Sequence, residues 1–149
     1  NILSFMNAAT DALLFTQTFT VLAEAAGLGT CFLGTTVYMP QMIIDTLHLP
    51  QLVMPVATLT VGWPDEKPAQ TDRLPLRSIV HSEAFDDYTP EKIDDFYAEK
   101  EALEENKEFV RTNQVETLAQ VFTDIRYTKK DCEAMSTGFM EALRKQGFI

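Results

Sequence analysis

The residues of this chain whose types and spacing could carry chemistry fall in three places. The first is Gly27-Leu28-Gly29-Thr30-Cys31-Phe32-Leu33-Gly34. A dinucleotide-binding fingerprint needs its glycines between a strand and a helix, so that the pyrophosphate meets a helix N-terminus. Here the order reads helix, glycines, strand, and the context excludes that site. Gly27 and Gly29 are accounted for by a helix C-terminus followed by a buried strand. Gly34 is not: a glycine at the end of an apolar strand, followed by Thr35 and Thr36, marks a place where something approaches the backbone closely.

The second place is Arg73, in Thr71-Asp72-Arg73-Leu74-Pro75. Its guanidinium offers paired donors to phosphate oxygens; the alternative is a surface arginine paired with Asp72 or Asp65. The third is His81, after Ile79-Val80, where a capping or hydrogen-bonded structural histidine is a better reading than general acid–base work. His48, just before Leu49-Pro50, reads as a helix end. No serine, histidine and acid are spaced as a nucleophilic triad. Asp86, Asp87, Glu91, Asp94, Asp95 and Glu99 lack the Asp-x-Asp-x-Asp-Gly pattern of a calcium loop and read as a solvated helix face. Two histidines and two distant cysteines give no metal-ligand spacing, and Cys31 and Cys132 are expected as reduced, partly buried thiols of a cytoplasmic protein.

The elements that must position these residues follow from periodicity and punctuation. A helix is expected over residues 10–26, capped near Thr10 and ended by Gly27, with apolar side chains on more than one face. Thr30–Leu33 reads as a short apolar strand. A short helix runs from Pro40, suited to the first helical position, to about Leu47, with Pro50 at its exit. Residues 53–61 read as a buried strand ended by Gly62-Trp63-Pro64, and residues 65–76 as a surface loop. Pro90 after Thr89 opens an acidic helix to about Glu105, and two further helices fit residues 113–124 and 129–146, the last ended by Gly147.

Composition bounds the function. The 149 residues are 46% hydrophobic and 23% charged, with a formal net charge of −10. That is enough chain for a core without staples, and its charge works against phosphate-dominated nucleic-acid binding and against docking on anionic lipid. Lysine and arginine are absent before Lys67, whereas Glu83–Glu108 holds 11 of the 22 acids against three lysines. The longest uncharged run, Ala25–Ile44, is interrupted by glycines and Pro40 and makes a poor membrane span. The first residue is Asn1, within what reads as core, so an amino-terminal portion is expected to be missing. The expectation is one domain over 1–149, amino-terminally incomplete, with a core over 1–82 and an acidic helical part over 83–149.

Together, AEAAGLGTCFLGTT, LHLPQLVMPVATLTVGWPDEKPAQTDRLPLRSIVH and the terminal ALRKQGF resemble the flavin-dependent nitroreductase family, in particular its NADPH-linked nitroreductase and flavin reductase branch. The order and approximate spacing of these stretches hold from about residue 11 to 148. The resemblance implies an α+β fold, a small mixed or antiparallel sheet flanked by helices, in a homodimer with FMN at its interface. It implies an FMN-dependent NAD(P)H oxidoreductase, with NAD(P)H as co-substrate and a nitroaromatic, quinone or free flavin as small-molecule electron acceptor. The backbone of Leu33, Gly34 and Thr35 would lie against the flavin ring, and Arg73 would bind the FMN phosphate. Thr71 stands where many relatives carry a lysine, and residues 1–66 contain no counterpart of the family's Arg/Ser-rich phosphate-gripping segment. Because the flavin carries the chemistry, no acid, base or nucleophile is required of the chain. A non-catalytic acidic helical module, or a truncated reductase remnant, is the alternative.

Overall fold

The computed structural model describes all residues from Asn1 to Ile149. They cluster into two compact units: Asn1–Lys67 with Lys130–Ile149, and Pro68–Lys129. No helix is long and apolar enough to cross a membrane.

In the first unit, α1 (Ile2–Ala25) leads through Gly27, whose φ of +84° supplies the left-handed exit, into β1 (Gly29–Leu33). Then come α2 (Pro40–Leu47) and β2 (Thr58–Gly62). β1 and β2 form a two-stranded antiparallel sheet in which Gly29 faces Gly62 and Leu33 faces Thr58. The helix α6 (Lys129–Lys145) closes the unit, and Gly147 ends it with a φ of +81°. Phe5, Leu143 and Phe148 form the core, with Ala9, Met54, Val56 and Phe139 packed against it. The Phe5 ring meets Phe148 edge-on at 5.3 Å between centroids, a geometry that aromatic pairs favour. Buried Gln146 donates from Nε2 to the carbonyls of Val53 at 2.7 Å and Pro50 at 3.2 Å, stapling the irregular segment before β2 to the end of α6.

The second unit begins with a loop and a 3₁₀ turn at Leu76–Ser78, followed by α3 (Pro90–Glu101), α4 (Glu104–Thr112) and α5 (Leu118–Gln120). Thr89 caps α3 as its spacing before Pro90 predicts. Thr117 and Gln120 make a reciprocal capping box at α5, and the chain continues as a π-helical turn, Val121–Arg126. Leu118 and Val121 are the fully buried residues of this unit.

Several expectations need correction. The first helix starts at Ile2, not near Thr10; Thr10 is mid-helix and its hydroxyl donates back to the Met6 carbonyl at 2.8 Å. The strand expected over 53–61 is confined to Thr58–Gly62. Pro55 has no N–H for a ladder, and Met54 and Val56 fill the core from irregular backbone instead. Neither strand is buried: the distal halves of both are exposed. The acidic helix ends at Glu101 because Leu103 turns to extended backbone and starts α4, its carbonyl accepting the N–H groups of Asn106 and Lys107. Residues 113–117 are not helical. Both cysteines are exposed, Cys31 on the open half of β1 and Cys132 on α6, and no disulfide joins them.

Candidate functional site

β1 ends at Leu33, and residues 34–38 turn before α2, with the Tyr38 N–H donating to the Thr35 carbonyl at 3.0 Å. Leu33, Gly34 and Thr35 are all exposed, whereas Thr36 beneath them is buried. Thr36 Oγ1 is hydrogen-bonded to Thr58 Oγ1 at 2.8 Å and lies 3.2 Å from the Leu33 carbonyl, so the turn is tied to the first residue of β2. The N–H groups of Gly34 and Thr35 donate to no other backbone group of the turn.

Gly34 does not have a left-handed φ, and a Cβ built on it meets nothing within 4 Å. Neither backbone conformation nor packing within the chain therefore calls for glycine at this position. At Gly29, by comparison, a Cβ would be in ordinary van der Waals contact with Pro64 Cβ at 3.4 Å. An exposed backbone strip with two available N–H donors and no side chain at its centre fits the edge and face of a flat heteroaromatic ring that carries acceptor atoms.

At the opposite end of the two-stranded sheet, where Gly29 faces Gly62, an open hollow of about 370 Å³ is lined by residues including Cys31, Thr60, Val61 and Trp63. Trp63 is 81% exposed. It follows Gly62 at the end of β2 and forms the most exposed large apolar side chain of the unit.

Arg73 lies in the second unit and is exposed. Its Nη1 donates to the carbonyls of Thr71 at 3.2 Å and Asp72 at 3.1 Å and also to the Thr71 hydroxyl. These contacts fold the guanidinium back on its own loop and leave Nε and Nη2 for a further acceptor. The Asp72 carboxylate is not its partner. The Asp72 carboxylate pairs with Lys100 Nζ at 2.7 Å and accepts from Asn106 Nδ2 at 3.3 Å. The Lys100 hydrogen bond is the main influence holding its pKa below the usual carboxylate value. The donor set around Arg73 thus suits a phosphate.

His81 proves structural. Its Nδ1 accepts the Asp86 N–H at 3.2 Å, and its ring packs against Phe85 at 4.7 Å and Tyr88 at 6.0 Å. Tyr88 in turn donates its hydroxyl proton to the Ser78 carbonyl at 2.9 Å. His48 is the left-handed cap of α2, with a φ of +50°. No group of side chains is arranged to hold a metal ion.

No family model matches the chain. Among curated proteins, it is 37% identical over 82 residues to an FMN reductase [NAD(P)H] of Bacillus subtilis, a match covering 55% of this chain and 33% of that protein. It is 34% identical over 85 residues to a CR(VI) reductase of a Pseudomonas strain, covering 57% and 34%. The matches thus span about a third of these relatives' length. Among solved structures, a Bacteroides fragilis protein superposes with a TM-score of 0.93 at 61% identity, covering 100% of this chain and 61% of that one. The NfrA1 nitroreductase of Bacillus subtilis superposes with a TM-score of 0.72 at 25% identity, covering 99% and 58%.

The fold is that of the nitroreductases. The resemblance read from the motif order holds, and so does the expected combination of helices with a small antiparallel sheet. Within this nitroreductase fold, Leu33, Gly34 and Thr35 stand together at one strand end of the first unit, and Arg73 belongs to the second.

Proposed function

We propose that this chain is part of an FMN-dependent NAD(P)H oxidoreductase that reduces a nitroaromatic, a quinone or free flavin. The observation that carries the proposal is the Gly34 turn, where exposed N–H donors and an absent side chain serve nothing inside the chain. The names of the relatives, FMN reductase and NADPH nitroreductase among them, support the same class. Bound FMN would supply the hydride-accepting and electron-donating chemistry. The chain's own groups would bind and orient it: the N–H groups of Gly34 and Thr35 would donate to acceptors at the ring edge, Leu33 would pack on the ring, and Arg73 would hold the phosphate. Donor and acceptor substrates using one pocket in turn would give parallel lines in double-reciprocal plots of initial rate.

The assembly we propose is a homodimer. α1 is apolar nearly all round, and Leu14, Phe15 and Leu22 are 64%, 73% and 64% exposed in the single chain. A helix of that composition is stable in water only when covered, and a second copy covering it would serve the flavin site as the resemblance implies.

Titration of FMN with the purified chain, followed by quenching of flavin fluorescence, tests the function. Saturable quenching is expected, weakened about tenfold or more in Arg73→Ala, the scale of a lost charge-assisted hydrogen bond. A chain that leaves flavin fluorescence unchanged would overturn the proposal in favour of a non-catalytic module. Sedimentation at micromolar concentration tests the dimer, and a clean monomer would refute it.

A further inference from the structure

Arg73 sits beside an acid in sequence, and the structure keeps the two apart. An arginine whose nearest carboxylate is free to pair with it binds phosphate less well, because the carboxylate competes for the same donors and cancels the same charge. Here Asp72 is held by two residues from the helices that follow. Lys100, in the last turn of α3, meets its carboxylate at 2.7 Å. Asn106, in the first turn of α4, reaches the same oxygen at 3.3 Å from Nδ2, and its own position is fixed by donation to the Lys100 carbonyl at 2.8 Å. The Asp72 and Lys100 side chains are only 26% and 21% exposed, more sheltered than the ion pairs Arg77–Asp95, Lys92–Asp86, Lys107–Glu104 and Arg111–Glu108. The others are exposed pairs of the kind that contribute little.

The helix break between α3 and α4 acquires a purpose in this arrangement. The extended backbone at Leu103 brings the Asn106 side chain back to the Lys100 carbonyl, and so places both residues on one acid. Arg73 meanwhile spends a single nitrogen on its own loop.

We propose that Lys100 and Asn106 are positioning residues for an anion site at Arg73: by occupying the Asp72 carboxylate they keep the guanidinium available to a phosphate monoester. This rests on the assignment of Arg73 to the FMN phosphate above.

The test is FMN titration of the full chain and its variants, each first checked for unchanged far-ultraviolet circular dichroism. Lys100→Met frees Asp72 to face Arg73 and is expected to weaken FMN binding up to about fivefold, the scale of one partly exposed charge pair. Asp72→Asn in the Lys100→Met background is expected to restore parental affinity. Asp72→Asn alone is expected to bind at least as tightly as the parent, because it removes the competing charge while leaving Lys100 beside the site. A purely structural role for the ion pair predicts the opposite for both Asp72 variants, namely binding as weak as in Lys100→Met, and that result would overturn the proposal. It would also fall if Lys100→Met bound FMN like the parent while Arg73→Ala did not, which leaves the assignment of Arg73 intact. Absence of binding by the parent, or unaltered binding by Arg73→Ala, removes the assignment and this inference together.

Discussion

The buried hydroxyl of Thr36 is hydrogen-bonded to that of Thr58 at 2.8 Å, joining the turn that carries Gly34 to the first residue of β2. Thr36→Val keeps the side-chain shape and deletes this bond, leaving the Thr58 hydroxyl without that partner. A loss of about 1–3 kcal/mol is expected, the cost of an unsatisfied, largely buried polar group. Urea unfolding of the two proteins measures it, and an unchanged midpoint would show that the hydroxyl pair does not hold the turn.

Gly34→Ala separates folding from binding. The added methyl meets open space and the backbone is not left-handed, so stability should stay within about 0.5 kcal/mol of the parent. Flavin affinity should nevertheless fall about tenfold or more, equivalent to about 1.4 kcal/mol, because the methyl stands where the ring approaches. Parallel thermal unfolding and FMN titration give both numbers. Equal affinities would remove Gly34 from the site.

Leu118→Ala empties the centre of the second unit, where Leu118 is 1% exposed. A destabilisation of about 2–5 kcal/mol is expected from lost burial and the cavity left behind. Hydrogen exchange on α3–α5 should accelerate more than on α1, since Leu118 belongs to the 68–129 unit. Uniform acceleration over the whole chain would instead indicate that the two units unfold as one.

The carboxylate of Asp72 titrates below its ordinary value of 3.8 when folded, chiefly through its hydrogen bond from Lys100. Its unfolded pKa is therefore the higher of the two. The Asp72–Lys100 contribution to stability is fully present above about pH 4 and is lost as pH falls through the lowered folded value. Unfolding midpoints of the parent and of Asp72→Asn, taken from pH 6 downward, should converge in that acid range. A gap that persists undiminished at the lowest pH would contradict the pairing.

Legibility in the sequence followed local punctuation. α2 was readable because Pro40 and Pro50 bracket it, α3 because Thr89-Pro90 opens it, and the helix ends at Gly27 and Gly147 because both need positive φ. The start of α1 was not, since residues 2–9 offer no capping pair that competes with Thr10. The break at Leu103 contains neither glycine nor proline and is set by contacts with Asn106 and Lys107. Thr117-x-x-Gln120 was a capping signature in plain view, masked by the helix-favouring residues around it. At the candidate site, Gly34 could be singled out from its position at a strand end. The partner of Asp72 could not, because Lys100 lies 28 positions along the chain and only tertiary structure brings them together.

The aromatic cluster that closes the first unit joins Phe5 to Phe148, with the whole 68–129 unit lying between them in the chain. On a ribosome, the helix that carries Phe5 emerges long before the residues that shelter it, with a delay on the order of ten seconds at ordinary elongation rates. Throughout that interval the Phe5 ring lacks Phe139, Leu143 and Phe148, the residues that pack against it in the finished unit. The core of the first unit thus closes only after the whole 68–129 unit has been synthesised, and its folding is set by the latest of its contacts and not by the earliest.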